Sequence, residues 1–208
     1  MLRRPGLIDR VREEVSRATI IDDTGKLTLD VPKLVSDSPL LTSIYLECLR
    51  IRTSVTLTRQ LNEDIECDGY LLKKGSYIMS PSQLPNTSPI WDVPGHPAKS
   101  FWPERFVEMP KFEAANPGEK SQYELAMRAE NFFPYGGGNM MCTGRFFAKQ
   151  EILAAVALLV LKFDIEVEGW QTFDGKRSDI EAGLADGYAG AGVIPPDRDM
   201  VVKMRRLR

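Results

Sequence analysis

A glycine-rich run that delivers one cysteine to the start of a helix constrains this chain more than any other stretch: Phe132-Phe133-Pro134-Tyr135-Gly136-Gly137-Gly138-Asn139-Met140-Met141-Cys142-Thr143-Gly144-Arg145. The residues that follow, Phe146-Phe147-Ala148-Lys149-Gln150-Glu151-Ile152-Leu153, predict the helix itself. A cysteine at such a start faces unpaired backbone N–H groups and the positive end of the helix macrodipole, and both favour thiolate over thiol. Three consecutive glycines allow the backbone φ > 0 and clear side chains from one flank, so a large flat ligand fits against the loop. The residues suit a thiolate haem ligand. For the loop taken alone, a buried free cysteine beside a glycine turn is the competing account.

Two further motifs decide between them. Glu47-Cys48-Leu49-Arg50 places a carboxylate and a guanidinium one helical turn apart, and Phe101-Trp102-Pro103-Glu104-Arg105-Phe106 adds a second arginine. An i,i+3 Glu/Arg pair by itself is a surface feature worth under about 0.5 kcal/mol. The order of the three motifs carries more weight. Together they resemble the cytochrome P-450 superfamily, whose haem loop has its fixed positions filled here by Tyr135, Gly138, Cys142, Gly144 and Ala148.

The resemblance implies haem b, with Cys142 as the axial iron ligand, and a buried network of Glu47, Arg50 and Arg105 on the haem-loop side of the fold. It implies substrate contacts along Thr53, Ser54, Val55, Thr56, Leu57 and Thr58, and Arg59 paired with a haem propionate through a charge-assisted bond. A second substrate contact would come from a hairpin tip at Ala191, Gly192, Val193 and Ile194, for which a plain turn is the alternative. Two positions depart from the family. Met140 stands where relatives commonly place Arg or His for a propionate, which removes one charged anchor. Tyr135 stands where Phe is usual; it can pack on the porphyrin and also offers a hydroxyl.

In fold, the resemblance implies a mainly α architecture with small antiparallel β-sheets, the C-terminal part of the family's fold, with residues 1–208 as a single partial domain. Members run to more than twice this length. The opening segment looks like the helix after the family's long oxygen-activating helix, so that helix, with its acid and alcohol pair, is expected to be missing. In function it implies a haem-thiolate monooxygenase that hydroxylates an apolar small molecule with electrons from a reductase, Cys142 pushing electron density towards the iron. Local features resemble fungal members and the sterol 7α-hydroxylase or prostacyclin synthase branch. The alternatives are a truncated remnant without turnover and a module kept for binding haem or a partner.

Composition limits the other classes. With 208 residues, 43% apolar and 27% charged, the chain can bury an ordinary core. A net charge of −2 and short terminal basic clusters argue against nucleic acid as a partner. Cys48, Cys67 and Cys142 form neither a metal pair nor a disulfide framework, which fits a reducing intracellular compartment: the cytoplasm, or the cytosolic face of the endoplasmic reticulum if a full-length form carries an N-terminal anchor. Ile152 to Leu161 is too short an apolar run to span a bilayer, for which about 20 residues are needed, and reads as a buried core helix. Membrane attachment of a full-length form is not decided by these residues.

Periodicity supplies the remaining elements. Leu7, Ile8, Val11 and Val15 predict an amphipathic helix beginning near Pro5 and ending near Ala18. Ser38-Pro39 predicts the N-cap and first turn of a second helix, with Leu40, Leu41, Ile44, Tyr45, Cys48 and Leu49 on one face. Asp68-Gly69 predicts a hairpin turn, and Phe163, Ile165 and Val167 alternate as a strand. Ser80 to Asn131 is rich in proline and reads as an irregular wrap, with His96 a turn residue and Trp91 and Trp102 as packing aromatics.

Overall fold

Apolar residues at four-, three- and one-residue steps fix the first helix, α1 (Leu7–Ser16), which buries Leu7, Val11 and Val15 together with Glu14. It starts after Gly6, whose φ of 71° only glycine adopts freely, so Pro5 lies outside the helix. The computed structural model describes residues 1–112, 116, 119–185 and 191–207. A short hairpin, β1 (Thr19–Ile21) with β2 (Leu27–Leu29), leads into α2 (Val31–Asp37), capped by the Asp30 carboxylate on the Lys33 N–H.

The next helix, α3 (Pro39–Arg52), corrects two expectations. Ser38 makes no side-chain cap, and its buried hydroxyl has no hydrogen-bond partner. The cap comes from α1: Glu14 accepts from the Leu40 N–H at 2.8 Å and the Leu41 N–H at 2.9 Å, one through each carboxylate oxygen. A carboxylate reaches both free donors and faces the positive end of the dipole, which a single hydroxyl does less well. Cys48, expected on the apolar face, is exposed.

Strand β3 (Thr53–Gln60) continues directly from α3 and is the centre of a three-stranded antiparallel sheet, between β6 (Tyr77–Pro81) and β9 (Ala191–Val193). The expected hairpin at Asp68-Gly69 joins β4 (Ile65–Cys67) to β5 (Tyr70–Leu72), and both turn residues have positive φ, 50° and 78°. The proline-rich wrap holds more regular structure than its sequence suggests: α4 (Gln83–Asn86), α5 (Arg105–Glu108), α6 (Gln122–Ala126) and single 3-10 turns at Pro89–Trp91 and Met109–Lys111. Its own core is Trp91, Val93, Ala98, Trp102, Phe106, Met109 and Ala126. His96 lies in a turn and stacks flat on Trp102, ring centroids 4.0 Å apart.

The last helix, α7 (Arg145–Lys162), joins α1, α2 and α3 in the main core. Only Leu153, Ala157 and Val160 are fully buried; Phe146, Phe147, Ile152 and Leu159 are exposed. Of the expected core helix, α1, α2 and α3 cover one face only. From α7 the chain enters β7 (Phe163–Gln171), which alternates half-buried and exposed residues and pairs with β8 (Arg177–Ser178) and β10 (Asp199–Arg206). The fold is mainly helical with small antiparallel sheets. Among the described residues no helix is long and apolar enough to cross a membrane.

Candidate functional site

The site is built on α3. Glu47, Arg50 and Arg105 have no exposed side-chain surface. Arg50 grips the carboxylate with two bonds, Nε to Oε2 at 2.7 Å and Nη2 to Oε1 at 2.8 Å. Arg105 donates through Nε to both oxygens, 3.0 and 3.1 Å, and the Trp102 N–H adds a further bond at 2.9 Å. One carboxylate thus faces two guanidiniums. The surplus positive charge lies against backbone carbonyls: Asn86 for Arg50, Trp91 and Pro97 for Arg105, and Ser100 for both. Burial pushes the Arg105 guanidinium down from its ordinary value, and Glu47 pulls it back up. Trp91 and Trp102 carry the two guanidiniums on their ring faces, each about 5.4 Å from the ring centroid.

The glycine loop lies beside this helix. Gly136 and Gly138 take φ of 81° and 60°, which a side chain would strain, whereas Gly137 is extended. A 3-10 turn at Gly138–Met140 returns the chain, and the Cys142 N–H closes the loop on the Tyr135 carbonyl at 2.9 Å. Gly144 is the N-cap of α7, so Cys142 sits two residues before it, exposed and unpaired as a free thiol. Arg145 donates to the Cys142 carbonyl at 3.0 Å. Ala148 follows in the first turn of α7, half-buried. The Met140 side chain lies outside what is described.

Strand β3 also approaches the loop. The Arg59 guanidinium donates to the Gly137 carbonyl at 3.2 Å and to its neighbour Thr58 at 2.8 Å. Leu57 Cδ1 stands 3.7 Å from where a Cβ on Gly137 would be. The two segments expected to meet substrate are paired: Thr53 faces Val193, Ser54 faces Gly192 and Val55 faces Ala191 across β3 and β9, and the Ile194 N–H bonds the Arg52 carbonyl at 2.7 Å. Thr53 and Ser54 are buried, Val55, Thr56 and Leu57 half-buried, and Val193 exposed. Of the expected tip, Ala191–Val193 are strand β9 rather than a turn, and the preceding residues 186–190 lie outside the described residues.

Sequence reasoning missed one participant. Tyr45, buried on α3, meets the hydroxyl of Tyr135 with its own, and burial together with that contact raises its pKa. Its signal is only the tyrosine at 135 in place of the usual phenylalanine. Among the described residues no group of three or more His, Cys, Asp or Glu side chains could hold a bare ion.

Comparison with known proteins agrees with this geometry. Over 208 residues the chain is 43% identical to cytochrome P-450 monooxygenase calL of Penicillium decumbens, covering all of this chain and 38% of that protein. It is 31% identical to cytochrome P-450 monooxygenase fsoE of Humicola fuscoatra, covering 99% of this chain and 37% of that one. Among solved structures, retinoic-acid-bound cyanobacterial CYP120A1 shares the fold at a TM-score of 0.67 with 20% identity, over 97% of this chain and 39% of that chain. The chain therefore spans about two fifths of the length of these proteins. The sequence pattern of the cytochrome P-450 family matches residues 1–178, from α1 through the arginine network and the cysteine loop into β8, and the chain belongs to that family.

Proposed function

We propose that the chain carries the haem-ligating, proximal portion of a cytochrome P-450 monooxygenase, with the Cys142 thiolate as the axial ligand. The observation that supports this most is an exposed free thiol held at the end of a glycine loop closed by its own N–H. The residues fit the group. Gly137 and Gly144 have φ of −149° and −80°, and added Cβ atoms would meet only ordinary contacts at 3.7 and 3.9 Å. Protein packing does not demand glycine there, so the missing side chains leave room on the ligand side. Met141, Phe146 and Phe147, which flank the thiol in sequence, expose apolar surface that a porphyrin would cover.

Haem, when bound, would supply dioxygen activation, and the Cys142 thiolate would hold it and donate electron density. Around it, Arg59 would pair with a propionate, and Tyr135, Gly138, Met140, Gly144 and Ala148 would line the face that carries the sulfur. Glu47, Arg50 and Arg105 hold the frame beneath. Thr53 to Val55 pair with Ala191 to Val193 across β3 and β9, which supports a shared wall of Val55, Val193 and the neighbouring Thr56 and Leu57 for an apolar small-molecule substrate. Hydroxylation with electrons from a reductase is the reading for the whole relatives. Three free cysteines among the described residues support a reducing compartment.

The alternative reading is haem binding without turnover. Haem titration tests the common part. The parent chain should take up one haem, and Cys142→Ala should lose the thiolate-type absorption while Cys48→Ala and Cys67→Ala keep it; no haem uptake by the parent would overturn both readings.

A further inference from the structure

We propose that Tyr45 is a positioning residue for Cys142, acting through a hydroxyl-to-hydroxyl clasp with Tyr135. The proposal rests on the haem-thiolate reading of Cys142. Tyr45 is 6% exposed and belongs to α3, the same helix that bears Glu47 and Arg50. Its hydroxyl meets that of Tyr135 across 90 residues of sequence. The carbonyl of the same Tyr135 accepts the Cys142 N–H at 2.9 Å. One residue thus holds the core helix with its side chain and the cysteine with its backbone.

The loop needs such a tether. Between Tyr135 and Cys142 lie Gly136, Gly137 and Gly138, the residue type that loses most conformational freedom on ordering. Arg59 reaches this span only through an exposed contact with the Gly137 carbonyl. The clasp by contrast is half-buried, and either hydroxyl left alone there would lose its hydration without return. The Tyr135 ring packs against the core of α1, α2, α3 and α7, a contact that phenylalanine would make equally well. What tyrosine adds is the hydroxyl, and Tyr45 is where that hydroxyl goes.

The test compares Tyr45→Phe, Tyr135→Phe and the double variant in the full 208-residue chain, by amide hydrogen exchange and by the carbonyl spectrum of the reduced haem-loaded protein. Without haem, each single variant should speed exchange at residues 136–142 by about five-fold, the factor carried by one hydrogen bond of ordinary net strength, with the amides of α3 unchanged. The double variant should be no faster than either single one, because one bond has been removed twice. With haem, the single variants should move part of the population from the red-shifted to the unshifted Soret band. Leu34→Ala, which weakens the same core from α2, should leave that band where it is. Unchanged loop exchange in both single variants, or equal band loss in Leu34→Ala, would overturn the clasp. Failure of the parent chain to give a red-shifted band would instead count against Cys142 ligation, and the exchange result would still decide the clasp.

Discussion

Arg105 donates through Nε to both oxygens of Glu47, at 3.0 and 3.1 Å, across 58 residues of sequence and with neither side chain exposed. The contact fastens the proline-rich wrap to α3. Since Arg50 holds the same carboxylate, removing Glu47 would leave two buried guanidiniums without the carboxylate that both of them bond. Glu47→Ala should therefore destabilise the chain by about 3 to 5 kcal/mol, measured by denaturant unfolding. A loss below about 1 kcal/mol would mean that the carboxylate behaves as a surface partner.

The cap on α3 predicts an unequal pair. Glu14→Ala frees the Leu40 and Leu41 N–H groups and should cost about 0.5 to 2 kcal/mol. Ser38→Ala, which removes a buried hydroxyl that already has no partner, should be neutral or stabilising. Thermal unfolding of both variants gives the comparison. Equal losses would return the cap to Ser38.

Tyr45 predicts an alkaline signature. Its pKa in the folded chain is raised above the ordinary 10.0, first by burial and then by the Tyr135 hydroxyl. A raised acid holds its proton better when folded, so its contribution to stability is complete below pH 10.0 and lost as the pH rises beyond it. The parent should lose stability above that pH more steeply than Tyr45→Phe. Parallel curves for the two in urea unfolding would contradict the assignment.

Arg59 predicts a split between stability and ligand. Its guanidinium is exposed and bonds only the Thr58 and Gly137 carbonyls among the described contacts. Arg59→Ala should change stability by no more than about 0.5 kcal/mol. Haem affinity should fall by about ten-fold or more, as expected for a lost charge-assisted bond. Unaltered haem affinity would remove Arg59 from the site.

Read from the residues alone, the legible parts of the site are those written within one turn or one loop, whereas Arg105 as a partner of Glu47, 58 positions away, comes only from the family resemblance. Cys142 with its glycines, the Glu47 and Arg50 spacing, the Asp68-Gly69 hairpin and the alternation in β7 each follow from local geometry. The Glu14 cap, the Tyr45 and Tyr135 clasp and the Thr53 to Val193 pairing join residues 26, 90 and well over a hundred positions apart, and no periodicity encodes such partners. The exposure of α7 was illegible for another reason. Its composition marks it as apolar, but how many faces find a partner is settled by what packs around it, and here only Leu153, Ala157 and Val160 are fully covered.

The most direct measurement is the absorption spectrum of the haem-loaded chain, reduced and bound to carbon monoxide, for the parent and for Cys142→Ala. Thiolate ligation predicts a red-shifted Soret band in the parent that is absent from Cys142→Ala and present in Cys48→Ala and Cys67→Ala. A red-shifted band that survives in Cys142→Ala would contradict the account.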